Sequence, residues 1–363
     1  MLDACTRYGG AICLAAGVTL ASALAAPATA QQVIKMTFIS GFPPAMTTVG
    51  AFVDAYTPAV DAALAKAGRY RIEWNYAHSG QVVKARGEPE GVQSGLGDIT
   101  HVTTPFHLDR VPLYKVPYVI PFTSKDPALM VKIFDAMQPK FTAFGEAWSA
   151  LGQVNIGSSG VVDNYIIVSK TPVAKLADLR GKKMGAAGAN IPWVQGLGVA
   201  GVTSDLAAFY SGLATGVYDS ALVWPQAMGA FKLCEPAPHV LDADIGAASI
   251  HALNVNEAVW AKLPDEVKTA MREAAAVWTS DSLRRLVEGA QGGYDRCKAD
   301  FKMVYTRLSD EERVAWAKGL PNIAQEWAKD MDGKGLPGTT ILAFYMDELR
   351  KANQPIARQW DKE

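Results

Sequence analysis

The sequence predicts an α/β protein of two lobes, each built on a largely parallel sheet. Three observations carry that reading. Runs with strand character alternate with runs of helical periodicity, the pattern of sheets covered by helices. The chain of 363 residues is long enough for two hydrophobic cores on the usual scale of domains. No stretch rich in Pro, Gly or Ser divides it, so the chain is expected to cross between the lobes more than once.

The elements follow in order. Residues 33–40 (VIKMTFIS) read as a first strand, stopped by Gly41-Phe42-Pro43-Pro44. A helix is expected from Thr47 to Ala67, because Val49, Phe52, Val53, Tyr56, Val60 and Leu64 fall on one face. Residues 70–77 (YRIEWNYA) and 98–104 (DITHVTT) give the second and third strands, which completes an opening βαβ unit. Residues 151–157, 164–169, 182–187 and 217–224 read as strands of a second lobe, with 190–214 helical between the last two. Behind Leu263-Pro264-Asp265-Glu266 a long helix starts, with Val267, Met271, Ala274, Trp278, Leu283 and Leu286 at helical spacing; a break or bend is expected at Gly292-Gly293. A later helix opens at Ser309 with Glu312 three residues on, the capping-box pattern.

The first 30 residues read as an export signal. Arg7 supplies the positive start, residues 11–26 are apolar and uncharged, and Ala28-Thr29-Ala30 fits the small-x-small cleavage rule. The 16 residues of that stretch fall short of the roughly 20 needed to span a bilayer. The mature chain is therefore expected to begin at Gln31, in the periplasm. Hydrophobic residues make up 49% and the net charge is −1, which argues against disorder and against bulk attraction to nucleic acid or an anionic membrane. Cys5 and Cys13 would leave with the signal, and Cys234 and Cys297 would remain, either bridged or as two buried thiols.

Catalytic signatures are missing. The chain has no G-x-S-x-G elbow, H-E-x-x-H, Walker loop or G-x-G-x-x-G after a strand. Its His residues (His78, His101, His107, His239 and His251) have no metal-ligand spacing and read as polar strand or loop residues. Neither an enzyme nor a cofactor is expected.

A series of short motifs carries a resemblance. It comprises Ser79-Gly80-Gln81, Val92-Gln93-Ser94-Gly95 with Gly97-Asp98-Ile99, and Val116-Pro117-Tyr118-Val119-Ile120. It continues with Leu176-Ala177-Asp178-Leu179-Arg180-Gly181-Lys182-Lys183, Tyr210-Ser211-Gly212-Leu213, Thr215-Gly216-Val217-Tyr218-Asp219 and the run NEAVWAKLP from Asn256. In this order and spacing the sequence resembles the solute-binding receptors of tripartite ATP-independent periplasmic (TRAP) transporters. The resemblance implies a two-lobed periplasmic binding protein fold with a long helix bracing both lobes. Lobe I would hold residues 31–155 and 240–260, and lobe II residues 156–239 and 261–363. It also implies a small-molecule ligand, an organic acid or a related metabolite, handed to the small and large membrane subunits of a permease that an ion gradient drives. Two other functions are weighed against it: a ligand sensor docking on a membrane receptor, and a secreted hydrolase or isomerase.

The sequence departs from the family at its anion clamp. Gly185 stands where the family's G-L-K-I-R pattern puts an Arg, and Tyr165 where a second Arg is common in the preceding strand. Ligand-facing residues are then expected at strand ends, where open α/β sheets place ligands. These are Phe42 and Met46, Gln81, Thr103 and Thr104, with Tyr165, Gly185, Trp193, Leu206, Trp224 and Gln226 from the second lobe. Trp193 and Trp224 suit a core as well as a pocket. Arg86, beside Lys84, either replaces the missing cation or lies on a solvated helix start.

Overall fold

The computed structural model describes residues 31–363; the expected export signal lies outside them. The described residues form two sheets. The first contains β1 (Gln32–Ile39), β2 (Tyr70–Ala77), β3 (Ile99–Thr103), β4 (Gln153–Gly160) and β10 (Ile250–Asn256), in the order β2-β1-β3-β10-β4. The second contains β5 (Ile166–Ser169), β6 (Lys183–Ala186), β7 (Ala200–Thr203), β8 (Ser220–Val223), β9 (His239–Asp242) and β11 (Val304–Arg307), in the order β11-β9-β5-β8-β6-β7.

Each sheet carries a reversed strand, so neither is as parallel as the sequence suggested. β10 runs antiparallel to β3 and β4, and β5 antiparallel to β8 and β9. Both are the strands by which the chain enters a sheet from the other lobe. The two crossings, 161–165 and 243–249, run side by side and bond to each other, Val161 N–H to Ser249 O at 3.2 Å and Tyr165 N–H to Gly246 O at 3.3 Å. A two-stranded ribbon therefore joins the lobes.

The helix expected over Thr47–Ala67 forms as Thr47–Ala51 and Thr57–Ala67, joined by a π-helical turn at Phe52–Tyr56. Its buried side chains include Val49, Phe52, Tyr56, Val60 and Leu64, and Phe52 stacks on Phe38 of β1 with ring centroids 3.9 Å apart. The segment 190–214 departs from the expected helix. It holds a 3₁₀ turn (Gly188–Val194), the edge strand β7 and only then a helix, Leu206–Thr215, capped by Asp205.

The long helix runs unbroken over Asp265–Phe301, 37 residues, about 55 Å at 1.5 Å per residue. Its first part packs on lobe I, where Trp278 Nε1 donates to Thr48 O (2.8 Å), Thr279 Oγ1 to Ser158 O (2.7 Å) and Arg285 pairs with Asp54 at 2.9 Å. Its end packs on the helix Pro225–Ala230 of lobe II, with Cys297 bridged to Cys234. Gly293 does not break it. A Cβ at Gly229 would lie 2.3 Å from Gly293 Cα, so the two glycines let the helices cross backbone on backbone. The capping box is half made: Ser309 Oγ accepts from Glu312 N–H at 3.2 Å, but the Glu312 carboxylate accepts from Leu176 N–H at 3.3 Å. The pairing of Cys234 with Cys297, left open by the sequence, is a disulfide with Cα atoms 5.7 Å apart.

Candidate functional site

A cavity lies between the lobes, against the ribbon that joins them. Each wall has a sequence reason. Gly41-Phe42-Pro43 cannot continue β1, so the chain turns and presents Phe42 and Met46. Thr103 ends β3, and Pro105 and Phe106 follow in a 3₁₀ turn. Val161, Val162, Tyr165 and Ser249 come from the crossings and His251 from β10. Across from them stand Asn190, Leu206, Phe209 and Trp224, at element ends of lobe II. Phe42, Met46, Leu206 and Trp224 also line an outer chamber together with Gln226 and Phe231. A mainly apolar cleft with a few polar groups, at strand ends between lobes, is the usual form of a small-molecule site.

Seven of the expected residues meet here: Phe42, Met46, Thr103, Tyr165, Leu206 and Trp224 in the cavity, and Gln226 in the outer chamber. The others stand apart. Gln81 is exposed in the turn after β2, and its side chain lines neither chamber. Thr104 is buried and donates to Ile250 O at 2.5 Å, tying β3 to the start of β10. Trp193 lies behind the cavity wall, its Nε1 donating to Tyr118 O (2.7 Å) and its ring edge-on to Tyr165 at 5.1 Å. Arg86 is exposed, and its guanidinium sits 4.4 Å above the ring of Phe106; it touches a wall residue rather than the interior. Gly185 lies beneath the ring of Tyr218, since a Cβ there would come within 2.9 Å of two ring carbons. The place of the expected Arg is filled by packing.

The polar groups of the cavity are uncharged, apart from Asp205 at its edge, which caps the helix Leu206–Thr215. Among the described residues, no Lys or Arg lines it. Thr103 Oγ1 and Asn190 Nδ2 are buried without hydrogen-bond partners among the described residues. The hydroxyls of Tyr118 and Tyr165 face each other at 3.4 Å.

Behind the cavity a chain of side chains runs inward. His251 Nδ1 and His101 Nδ1 each lie 3.3 Å from Thr48 Oγ1, and His101 Nε2 lies 2.9 Å from Ser40 Oγ. The two imidazoles stack with centroids 5.6 Å apart. Burial pushes the His101 imidazole down to about 3, and burial together with His101 holds His251 well below the ordinary histidine range, so both rings are neutral at pH 7. No pattern in the sequence announces this pair. The residues are 150 positions apart and meet only because β10 pairs antiparallel with β3, placing Leu253 opposite His101 and His251 opposite Thr103.

None of the curated proteins compared with the chain matches it. Solved structures do. A TRAP periplasmic solute-binding protein of Desulfovibrio salexigens is 18% identical, with a TM-score of 0.75 over 88% of this chain and 96% of that one. DctP7, a Bordetella pertussis extracytoplasmic solute receptor binding pyroglutamic acid, is 21% identical, with a TM-score of 0.68 over 87% and 99%. The periplasmic ectoine-binding protein of the TeaABC TRAP transporter of Halomonas elongata is 15% identical, with a TM-score of 0.73 over 88% and 100%. These likenesses establish the two-lobed TRAP receptor fold. The sequence profile of one family matches residues 61–330, well over half of the chain, and on that match the protein belongs to the bacterial extracellular solute-binding proteins, family 7.

Proposed function

We propose that this protein captures a small organic acid or a related metabolite between its lobes and delivers it to the small and large membrane subunits of a TRAP-type permease. The observation that carries the reading is the largely apolar cleft against the interlobe ribbon, in a chain of this family. The site is suited to holding a solute rather than transforming it. Its buried imidazoles are neutral and bonded to hydroxyls, and no nucleophile with an activating base faces the cavity. That disfavours the hydrolase or isomerase alternative. Such a receptor works in the periplasm after cleavage behind Ala30, without cofactor or nucleic acid. Lobe I would comprise the first sheet and lobe II the second, turning about the crossings 161–165 and 243–249.

Closure is the test. A solute that binds both lobes stabilises the closed form by its differential affinity for the two forms. The radius of gyration in solution scattering should fall when a solute found by thermal-shift screening saturates the protein, and the exported chain should begin at Gln31 by intact mass. An unchanged radius at saturation would count against a receptor that closes on its solute.

A further inference from the structure

The proton order of the buried chain behind the cavity can be worked out. Thr48 has one hydroxyl hydrogen and stands between two Nδ1 atoms, so it donates to one ring and accepts from the other. Suppose it donates to His101. Then His101 carries its hydrogen on Nε2 and gives it to Ser40 Oγ, which already accepts Phe42 N–H at 3.0 Å. The Ser40 hydroxyl hydrogen then has no acceptor among the described contacts, inside a fully buried residue. In the other order Ser40 donates to His101 Nε2, His101 Nδ1–H donates to Thr48, and Thr48 donates to His251 Nδ1. Ser40, His101 and Thr48 are then all satisfied, and the one hydrogen without an acceptor among the described contacts is moved from the sealed Ser40 to His251, which lines the cavity, so this order prevails. It leaves the hydrogen of His251 on Nε2, the ring nitrogen free for the cavity.

The cavity therefore offers an imidazole N–H, the buried Asn190 amide donor and the buried Thr103 hydroxyl, the last two unpartnered. These groups ask for acceptor oxygens. The charge asks for something else: no cation lines the cavity, Tyr218 fills the space an Arg at Gly185 would need, and the charged lining residue is the carboxylate of Asp205. A carboxylate would shed its water here without a counter-ion. The walls are aromatic, with Phe42, Phe106, Tyr165, Phe209 and Trp224.

We propose, resting on the receptor reading above, that the solute is an uncharged ring compound bearing a carbonyl or amide oxygen, which accepts hydrogen bonds from His251, Asn190 and Thr103 while aromatic side chains cover its ring. Recognition is by neutral donors in an apolar box, and the buried chain from Ser40 to Thr48 fixes His251 as a donor.

The test compares charge states on one skeleton. Phenylacetamide, phenylacetate and 2-phenylethylammonium form one set, and nicotinamide with nicotinate another; both are screened by thermal shift beside a library of organic acids, and hits are measured by calorimetry at pH 7.5. The neutral amide should bind at least tenfold tighter than its carboxylate in a set that fits. Asn190→Leu and His251→Leu should each lose tenfold or more. Thr48→Val, which keeps the side-chain shape and does not line the cavity, should lose several-fold by freeing His251 to reorder. Melting of each variant without solute shows that it folds. Carboxylates binding tighter than their amides, or full affinity in Thr48→Val, would overturn the proposal and leave the receptor reading standing. No hit in any charge class would overturn both.

Discussion

Gly185 is the sharpest place to perturb this protein. An alanine there puts a methyl 2.9 Å from two carbons of the Tyr218 ring, and the ring has nowhere to retreat. Its other side abuts Gly212, where a Cβ would come within 2.2 Å of the ring, while its hydroxyl donates to Ala208 O at 3.0 Å and Phe209 stands edge-on. Two effects compete. Replacing Gly by Ala stiffens the unfolded chain, worth about 0.4–1 kcal/mol in favour of folding. Overpacking a filled core costs about 1–3 kcal/mol. Overpacking wins because the obstacle is a ring held on several sides, so Gly185→Ala should lose roughly 1–2 kcal/mol in urea melts followed by tryptophan fluorescence. In a Tyr218→Ala background the loss should vanish, the coupling expected of residues in contact. Gly185→Arg should be hurt more and should gain no succinate binding by calorimetry, since the guanidinium cannot reach the cavity past Tyr218. An alanine variant as stable as the parent, or an arginine variant that folds normally and binds succinate, would refute the reasoning.

Two further outcomes are expected. Because the His101 imidazole is pushed down to about 3 by burial, the unfolded chain binds the proton first; stability is full above about pH 6.5 and falls with pH from there towards 3. At pH 5 the loss from this ring is about 2 kcal/mol, at 1.36 kcal/mol per unit. Urea midpoints of wild type and His101→Gln at pH 7.5 and 5.0 check this, and an equal drop in both would count against it. Opening the disulfide, which spans 63 residues, should cost about 4 kcal/mol on the loop-entropy account and lower the melting temperature by roughly 5 °C. A melt of Cys234→Ala/Cys297→Ala matching the oxidised wild type would contradict it.

Much of lobe I was legible because its sequence is punctuated. β1 and β2 are rich in β-branched and aromatic residues and stop at glycine, proline or polar turns, and the helix between them shows its buried stripe in Val49, Phe52, Tyr56, Val60 and Leu64. β7 was not legible. Ala-Gly-Val-Thr is mostly exposed at a sheet edge, so it has no apolar run to announce it, and its hydrogen bonds to β6 are a tertiary choice. Gly292-Gly293 misled in the other direction: glycine weakens a helix locally, but close packing against Gly229 more than compensates. For the cavity, strand ends and aromatic residues pointed to Phe42, Met46 and Trp224, and the place of the family's second Arg pointed to Tyr165. They could not find Ser249 or His251, whose positions depend on the second crossing and its entry into β10, or Asn190, which sits in a 3₁₀ turn where the sequence reads as helix.

The bridge between Cys234 and Cys297 bears on how the protein is made. Four cysteines could pair in three ways, and a chain that kept its first 30 residues would have to sort them. A chain cut after Ala30 carries two, which leaves a single intramolecular pairing. Maturation then calls for an oxidant and no isomerase: no wrong bond within the chain has to be undone. The bond joins the segment after Pro225–Ala230 to the far end of the long helix, so it closes only once the later residue has been delivered. Loss of free thiols is thus a chemical clock for the arrival of the helix on its second lobe.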